Sequence, residues 1–209
     1  MDIKTAKKIM GKNFIGPNEL RSIADKINIS GDLNSNEILD IPFSEKELKK
    51  ISQSHLLILG VQRNATGQKL TLNSLRDFFG VNPEIKEPCF YNQDWYFKEK
   101  FAEQTVLKNK WYLIGKEVDK NTRGKSPETM KGAAFPPAIL TAFIFFAYYF
   151  HTDGKILWQQ DFIWCSDKDN NGDRIYTGRY IDPDRINKNG FNIHRHLSIR
   201  QCYGLAPMI

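Results

Sequence analysis

The alternation of apolar and polar residues predicts helices in the first part of the chain. In residues 14–27, FIGPNELRSIADKI, apolar side chains recur at helical spacing after Pro17, a residue that a first helical turn tolerates. In residues 41–54, Ser44 and Glu47 have the spacing of a capping box, which marks the start of a helix. The pattern therefore predicts two amphipathic helices in the first quarter of the chain.

The middle of the chain mixes strand and helix patterns. HLLILGV, residues 55–61, is typical of a buried strand, and residues 70–80 predict a short helix that ends at Gly80. Aromatic residues crowd residues 90–102, FYNQDWYFKEKFA; we interpret them as core packing on a helix, with stacking on single-stranded nucleic acid as the alternative. NKWYLIGKEV, residues 109–118, has the β-branched and aromatic content of a strand.

Residues 135–150, FPPAILTAFIFFAYYF, are apolar on all sides but too short to cross a bilayer, so they predict a buried helix. After it come short segments with strand character and no helix–strand alternation, at residues 155–158, 161–167, 173–180, 190–200 and 203–209. This order favours an α+β fold with a mainly antiparallel sheet. We predict a small N-terminal helical region, residues 1–81, and an α+β domain, residues 82–209.

Charge and cysteine content narrow the class of protein. Lys and Arg total 30 against 24 Asp and Glu, so the net charge is +6, but both signs are interspersed. A mixed, solvated surface is expected, with a nucleic-acid partner as the alternative. Cys89, Cys165 and Cys202 lack the spacing of a zinc site or disulfide framework. The N-terminus shows no apolar signal segment, which makes a cytoplasmic location the expectation and gives no reason to expect a membrane partner.

The acidic run in CSDKDNNGDRIYTGRY, residues 165–180, has two explanations. Asp167, Asp169, Asn171 and Gly172 match the first positions of an EF-hand calcium loop, but Gly178 stands where that loop needs a glutamate. The following residues prefer a strand, and Asn-Gly is the preferred dipeptide of a type I′ hairpin turn.

The hairpin explanation also specifies which residues face each other. It predicts three facing pairs: Asn170 with Asp173, Asp169 with Arg174, and Trp164 with Arg179. No cofactor is required by this explanation. Calcium remains the alternative, because three carboxylates would crowd the tip and Asp182 or Asp184 could add an oxygen; the three are Asp167, Asp169 and Asp173.

Residues 191–200, FNIHRHLSIR, alternate as a strand with one apolar and one polar face. The apolar side consists of Phe191, Ile193, Leu197 and Ile199, with Arg195 as the exception. The polar side is predicted to face outward and to bind a ligand or partner, and with the following residue it comprises Asn192, His194, His196, Ser198, Arg200 and Gln201. An ordinary solvated sheet face is the alternative, and a zinc site on the His-x-His pair is a third.

Four strings carry a family resemblance: FYNQDWYFKEKFA, NKWYLIGKEV, FIWCSDKDNNGDRIYTGRY and the ending R-x-x-YGLA. They resemble a group of uncharacterised bacterial proteins related to the target proteins of diversity-generating retroelements. The resemblance implies a C-type-lectin-like C-terminal domain with variable residues on a ligand-binding surface near the C-terminus. The matching positions here are Asn192, His194, His196, Ser198 and Gln201. Where the family ends in small residues, this chain has Pro207-Met208-Ile209.

These features together predict a recognition module for a protein or small ligand, with no catalytic residues. The alternative is a metal-dependent nucleic-acid-processing enzyme of a mobile element or defence system. That reading rests on the basic composition and on four carboxylates that could bind metal: Asp161, Asp167, Asp169 and Asp173.

Overall fold

The computed structural model describes residues 1–31, 33, 40–182, 188–196 and 198–209. Two expectations fall outside these residues, namely the inward side chain of Leu197 and the additional carboxylate of Asp184. The helices are α1 Ile3–Met10, α2 Pro17–Ile23, α3 Glu45–Ile51, α4 Leu72–Phe79, α5 Lys100–Glu103 and α6 Ala138–His151. The strands are β1 Phe14–Ile15, β2 His55–Leu59, β3 Trp111–Gly115, β4 Phe162–Lys168, β5 Arg174–Gly178, β6 Asn192–His194 and β7 Tyr203–Gly204.

Local sequence signals set several helix ends. The hydroxyl of Ser44 accepts a hydrogen bond from the Glu47 amide at 3.3 Å, and the Glu47 carboxylate accepts one from the Ser44 amide at 2.7 Å. This is the predicted capping box of α3. Pro17 is the first residue of α2, and Gly80 follows α4 with a φ of 68°. Both positions are as predicted.

Three segments differ from their predicted structure. In the segment 14–27, Phe14 and Ile15 form a short strand ahead of the helix that begins at Pro17. In the aromatic segment 90–102 only the end is helical, as α5, although its rings contribute to the core as predicted. Residues 155–158 form no strand, and Leu157 and Trp158 lie in a turn. Each pattern is short, so tertiary pairing rather than local preference decides its conformation.

The first sheet has the order β1-β2-β3, with β1 parallel and β3 antiparallel to β2. Near the C-terminus, Met208 pairs with Ile114 of β3, and the Gly115 amide donates to the Pro207 carbonyl at 2.7 Å. Because β2 and β3 lie on either side of residue 81, this sheet connects the two predicted regions. Residues 1–81 thus contribute strands as well as helices, and they share one hydrophobic core with the rest of the chain.

Helix α6 lies at the centre of that core. All its residues from Ala138 to Tyr148 are buried, and Phe146 stacks on Phe79 with 3.7 Å between ring centroids. The apolar character of all its sides is therefore explained by burial, as predicted. Among the helices in the described part of the chain, none has the length and apolar character needed to cross a membrane.

The second sheet has the order β6-β5-β4-β7 and is antiparallel except for the β4–β7 pair. One of its faces packs on α6 and belongs to the main core through Ile163, Cys165, Ile175 and Ile193. The opposite face carries a separate aromatic cluster, formed by Phe162, Trp164, Tyr176 and Tyr203. The chain is thus α+β with two mainly antiparallel sheets.

The β4–β5 hairpin forms as predicted, but its turn type and its strand register differ from the prediction. Gly172 has a φ of 92°, whereas Asn171 has no positive φ, and the Gly172 amide donates to the Asp169 carbonyl at 3.0 Å. This is a three-residue loop closed by a left-handed glycine, not a type I′ turn. Lys168 therefore faces Arg174, and a bulge after Trp164 places Trp164 opposite Tyr176 rather than Arg179.

Candidate ligand-binding site

The polar strand predicted over residues 191–200 is shorter in the structure, where β6 ends at His194. Arg195 causes the departure. Its guanidinium donates to a carboxylate oxygen of Asp169, lies 3.7 Å from Glu99 and stacks 4.4 Å from the ring of Trp95. These contacts draw the chain towards the hairpin tip, and His196 follows with a φ of 63°. The predicted outward row is therefore divided into a sheet part and a loop part.

Asn192 lies on the same face of β6 as His194, but its side chain is buried. Its side-chain amide donates to the carbonyl of Arg179 at 2.7 Å and to that of Gly190 at 2.9 Å. Its oxygen lies 3.1 Å from Nε2 of His194. Asn192 thus holds neighbouring backbone and the imidazole in place, so the expectation that it projects freely outward is wrong.

His194 lies on the aromatic face of the second sheet and is half-buried. Its ring is 5.7 Å from that of Phe162 and 6.2 Å from that of Tyr176, and the Gln93 amide nitrogen lies 3.0 Å from Nε2. Burial, assisted by the positive charge of Arg179, lowers the pKa of His194 to about 4. The imidazole is therefore neutral at neutral pH.

An open cavity of about 240 Å³ lies beside β6. Three of the predicted contact residues line it: Asn192, His194 and Arg200. The rest of its wall consists of Tyr91, Phe162, Arg179, Tyr180, Ile181, Asp182 and Lys188. We call this space the β6 cavity. It places an aromatic wall beside amide and imidazole groups and cationic side chains, so it offers hydrogen-bonding and charged groups next to apolar surface.

Arg179 reaches the β6 cavity because the chain bends sharply where β5 ends. Gly178 has a φ of 122°, and a Cβ atom there would lie 2.5 Å from the Asp161 carbonyl oxygen, so only glycine fits without a shift. Arg179 follows at φ 45°, and its amide donates to the carbonyls of Trp158 and Asp161 at 3.1 and 2.8 Å. Its guanidinium lies 5.7 Å from the Phe162 ring.

Tyr91 enters the site from a distant part of the sequence. Phe90 pairs with Phe191 in a parallel bridge, and the Tyr91 amide donates to the Phe191 carbonyl at 3.0 Å. A Cβ atom on Gly190 would lie 2.5 Å from the backbone of Tyr91, so the two segments touch directly. Tyr91 and Lys188 also line a second cavity, together with Val81, Asn82, Asn92 and Asn189.

The remaining predicted contact residues lie outside the β6 cavity. His196 is at the hairpin tip, 3.5 Å from Asp173 and 3.8 Å from Asp169. Gln201 lies against Gly124, and its carbonyl accepts a hydrogen bond from Arg123 at 3.2 Å. Ser198 is exposed. The structure thus brings together half of the predicted set.

The three aspartates proposed for calcium do not converge. Asp167 turns to the start of α6, where its carboxylate accepts a hydrogen bond from the Ala138 amide at 2.6 Å. Asp169 is at the tip, and its carboxylate accepts from the amides of Asn171 and Asp173 at 2.9 and 2.8 Å. Burial opposes ionisation of Asp169, but the Asp173 amide and Arg195 outweigh it and lower its pKa. The expectation that all three crowd one place is wrong.

The tip does hold a smaller cluster. Asp169, Asp173 and His196 present possible ligand atoms within 4.8 Å of one another. Asp169 is nevertheless engaged by Arg195 and by two backbone amides, which give it a role in forming the turn. The fourth carboxylate of the alternative enzyme hypothesis, Asp161, forms a two-pronged ion pair with Arg123 at 2.7 and 2.8 Å.

A scan against models of protein families finds no match, and searches of curated proteins and of solved structures find none either. The site is therefore described by its own residues. Sequence patterns missed Tyr91, Arg179 and Lys188 as site residues. Gly178, inside the predicted strand 173–180, was the one local sign that the chain bends where Arg179 leaves the sheet.

Proposed function

We propose that this protein is a non-catalytic recognition module whose contact site is the β6 cavity. The observation that carries the proposal is the convergence of His194, Arg200 and Arg179 on one open cavity with aromatic walls. The first two belong to the polar set predicted from sequence, and the third is added by the fold. Loop residues placed by a rigid sheet are a common basis for binding.

The state of His194 favours recognition over acid–base chemistry. A group with a pKa of about 4 is a weak general base at neutral pH. Its neutral ring, fixed by Asn192 and Gln93, can serve as an oriented hydrogen-bonding group. The aromatic contacts with Phe162 and Tyr176 hold the ring in one orientation before a ligand binds. Binding to this ring therefore costs little side-chain entropy.

The proposal extends to the family resemblance. We propose a C-type-lectin-like C-terminal domain, related to retroelement target proteins, in which the tract around β6 meets the ligand. Its support is that two of the five tract positions, Asn192 and His194, line the β6 cavity.

A binding screen with matched variants tests the proposed function. The intact chain is screened by NMR against a library of short peptides and small molecules that includes anionic, neutral and cationic members. Binders are then tested on Tyr91→Ala and Arg200→Gln, which change the wall of the β6 cavity, and on His196→Gln, which changes the hairpin tip. We expect at least one binder that loses affinity about tenfold or more in the first two variants and keeps it in the third.

The melting temperatures of all three variants serve as the control for folding. The proposal fails if the library gives binders whose affinity is unchanged in both cavity variants. Loss of affinity in His196→Gln alone would move the contact surface to the tip.

A further inference from the structure

The charges around the β6 cavity are unbalanced. Among the described residues, three cationic side chains line it, Arg179, Lys188 and Arg200, and one carboxylate, that of Asp182. Lys188 is already compensated by Glu84, at 3.0 Å. An ion pair requires an oxygen within 4.0 Å of a guanidinium nitrogen. Among the described residues, no carboxylate oxygen comes that close to Arg179 or Arg200.

Two other arginines near the second sheet, Arg123 and Arg195, differ from Arg179 and Arg200 because each forms an ion pair with a carboxylate. Arg123 is paired with Asp161, and Arg195 with Asp169, each on the same sheet or directly beside it. Arginine is favoured where a planar group must hold two oxygens of a carboxylate or phosphate, because its donors form a rigid fork. Arg179 and Arg200 therefore have donors that remain available to a ligand.

Arg179 is also held in advance of binding. Its amide is bound by two carbonyls, its own carbonyl accepts from Asn192, and its φ of 45° is uncommon for a residue with a side chain. The guanidinium lies over the Phe162 ring, so its direction is restricted. A cation that is fixed before binding loses little freedom when an anion arrives.

We infer that the β6 cavity recognises an anionic oxygen group, a phosphate or a carboxylate, held by Arg179 and Arg200 beside the imidazole of His194. This inference rests on the proposed function and specifies its ligand class. The group belongs to a ligand larger than a free ion, since Tyr91 and Lys188 line both this cavity and the adjoining one. The three asparagines of the adjoining cavity can bind polar groups next to the anion.

An NMR titration with two simple anions tests the inference. Inorganic phosphate and acetate are added separately to the intact, isotope-labelled chain, with chloride added to keep the ionic strength constant. The Nε–H signal of Arg179 and the ring signals of His194 are followed. We expect a saturable shift of both with at least one anion, at a dissociation constant on the order of millimolar. The anion that saturates at the lower concentration identifies the group.

Variants separate this site from general attraction of anions to a basic protein. Arg179→Asn removes the fork while keeping a residue that tolerates positive φ, and we expect it to weaken binding about tenfold or more. Arg200→Gln should do the same with an unchanged backbone, and it provides the test if the first variant does not fold. The control Arg63→Gln, in an exposed loop away from the cavity, should leave the titration unchanged.

The inference is overturned if neither anion gives a saturable shift, or if the shift persists in Arg179→Asn and Arg200→Gln. In that case the library screen decides the fate of the proposed function separately. A neutral or cationic binder that depends on Tyr91 would leave recognition standing with a different ligand class. Absence of any cavity-dependent binder would remove both.

Discussion

At the scale of single residues, His194 shows how the fold changes what a sequence pattern means. As one of four histidines in the chain, it was predicted to project from a solvated strand face. In the structure it is half-buried between aromatic rings and next to Arg179. Both conditions disfavour its charged form. The alternation correctly identified the polar side of β6 but could not show that aromatic residues of β4 and β5 line that side.

The pH dependence of stability provides a test of this environment. The pKa of His194 is lowered from 6.5 to about 4 in the folded chain, so between these values the unfolded chain binds a proton that the folded chain does not. Lowering the pH through this window should therefore reduce the free energy of unfolding, by at most about 3.5 kcal/mol, since one pKa unit corresponds to ~1.4 kcal/mol.

Urea unfolding at several pH values measures this effect in the wild type and in His194→Gln, which cannot titrate. The variant should have a flatter profile across the window, with the remaining slope due to other groups. Identical slopes in the two proteins would show that His194 is not buried as described.

A second prediction at this scale concerns the stability of the chain without Arg195, whose side chain neutralises buried carboxylates. The side chain of Asp169 is fully buried, and that of Glu99 is 10% exposed. Arg195→Ala would leave both carboxylates without their cation, and we expect a loss of roughly 2–4 kcal/mol in the free energy of unfolding. Arg200→Ala is the matched control, since Arg200 is exposed, and it should change stability by less than about 0.5 kcal/mol. Equal effects of the two substitutions would contradict the assigned pairing.

At the scale of elements, the ends of helices were predictable wherever the signal is local. The capping box at Ser44 and Glu47 and the glycine at Gly80 specify their helix ends within a few residues of sequence. The start of α6 is different, because Pro136 and Pro137 provide no cap. Its N-terminal amide is instead bound by Asp167, 29 residues further along the chain. No local pattern reveals a cap that tertiary structure supplies.

This distant cap can be tested by substitution. Asp167→Ala removes the acceptor for the Ala138 amide, and we expect it to lower the free energy of unfolding by about 1–2 kcal/mol. Ser166→Ala, at the exposed neighbouring position on β4, should have little effect. Chemical denaturation of both variants measures the difference. A neutral Asp167→Ala would mean that this carboxylate does not cap α6.

The hairpin and β6 show the limits of pattern reading at the same scale. The Asn-Gly dipeptide indicated the correct place for a turn, but the carboxylate of Asp169 binds two amides of the loop and selects a longer turn. Strict alternation predicted a ten-residue strand from residue 191, yet Arg195 leaves the sheet to reach Asp169. In both cases a long-range or side-chain hydrogen bond outweighs a local preference.

At the scale of the whole molecule, the α+β class and the mainly antiparallel pairing could be predicted from the order of elements. The linkage between the two predicted regions could not, because it depends on which strands pair. β2 and β3 pair across the predicted boundary at residue 81, and the C-terminal residues return to β3. The same applies to the β6 cavity, whose wall takes Tyr91, Arg179 and Arg200 from segments that only the fold brings together.

The return of the C-terminus to β3 yields a prediction about its last three residues. Deleting Pro207–Ile209 removes two backbone hydrogen bonds to β3, from Gly115 to Pro207 at 2.7 Å and from Ile209 to Leu113 at 3.0 Å. We expect a loss of about 1–3 kcal/mol in the free energy of unfolding. Ile209→Ser, which keeps the backbone and changes an exposed side chain, should be close to the wild type. Unchanged stability on deletion would argue against this pairing.

The central claim is that the β6 cavity is where this protein meets its ligand. The most direct measurement is the map of backbone amide shifts produced by the tightest binder from the library screen. The account predicts saturable shifts concentrated at Tyr91, Arg179, Asn192, His194 and Arg200, with the hairpin tip unaffected. Shifts concentrated at Asp173 and His196, with the cavity residues unchanged, would contradict it.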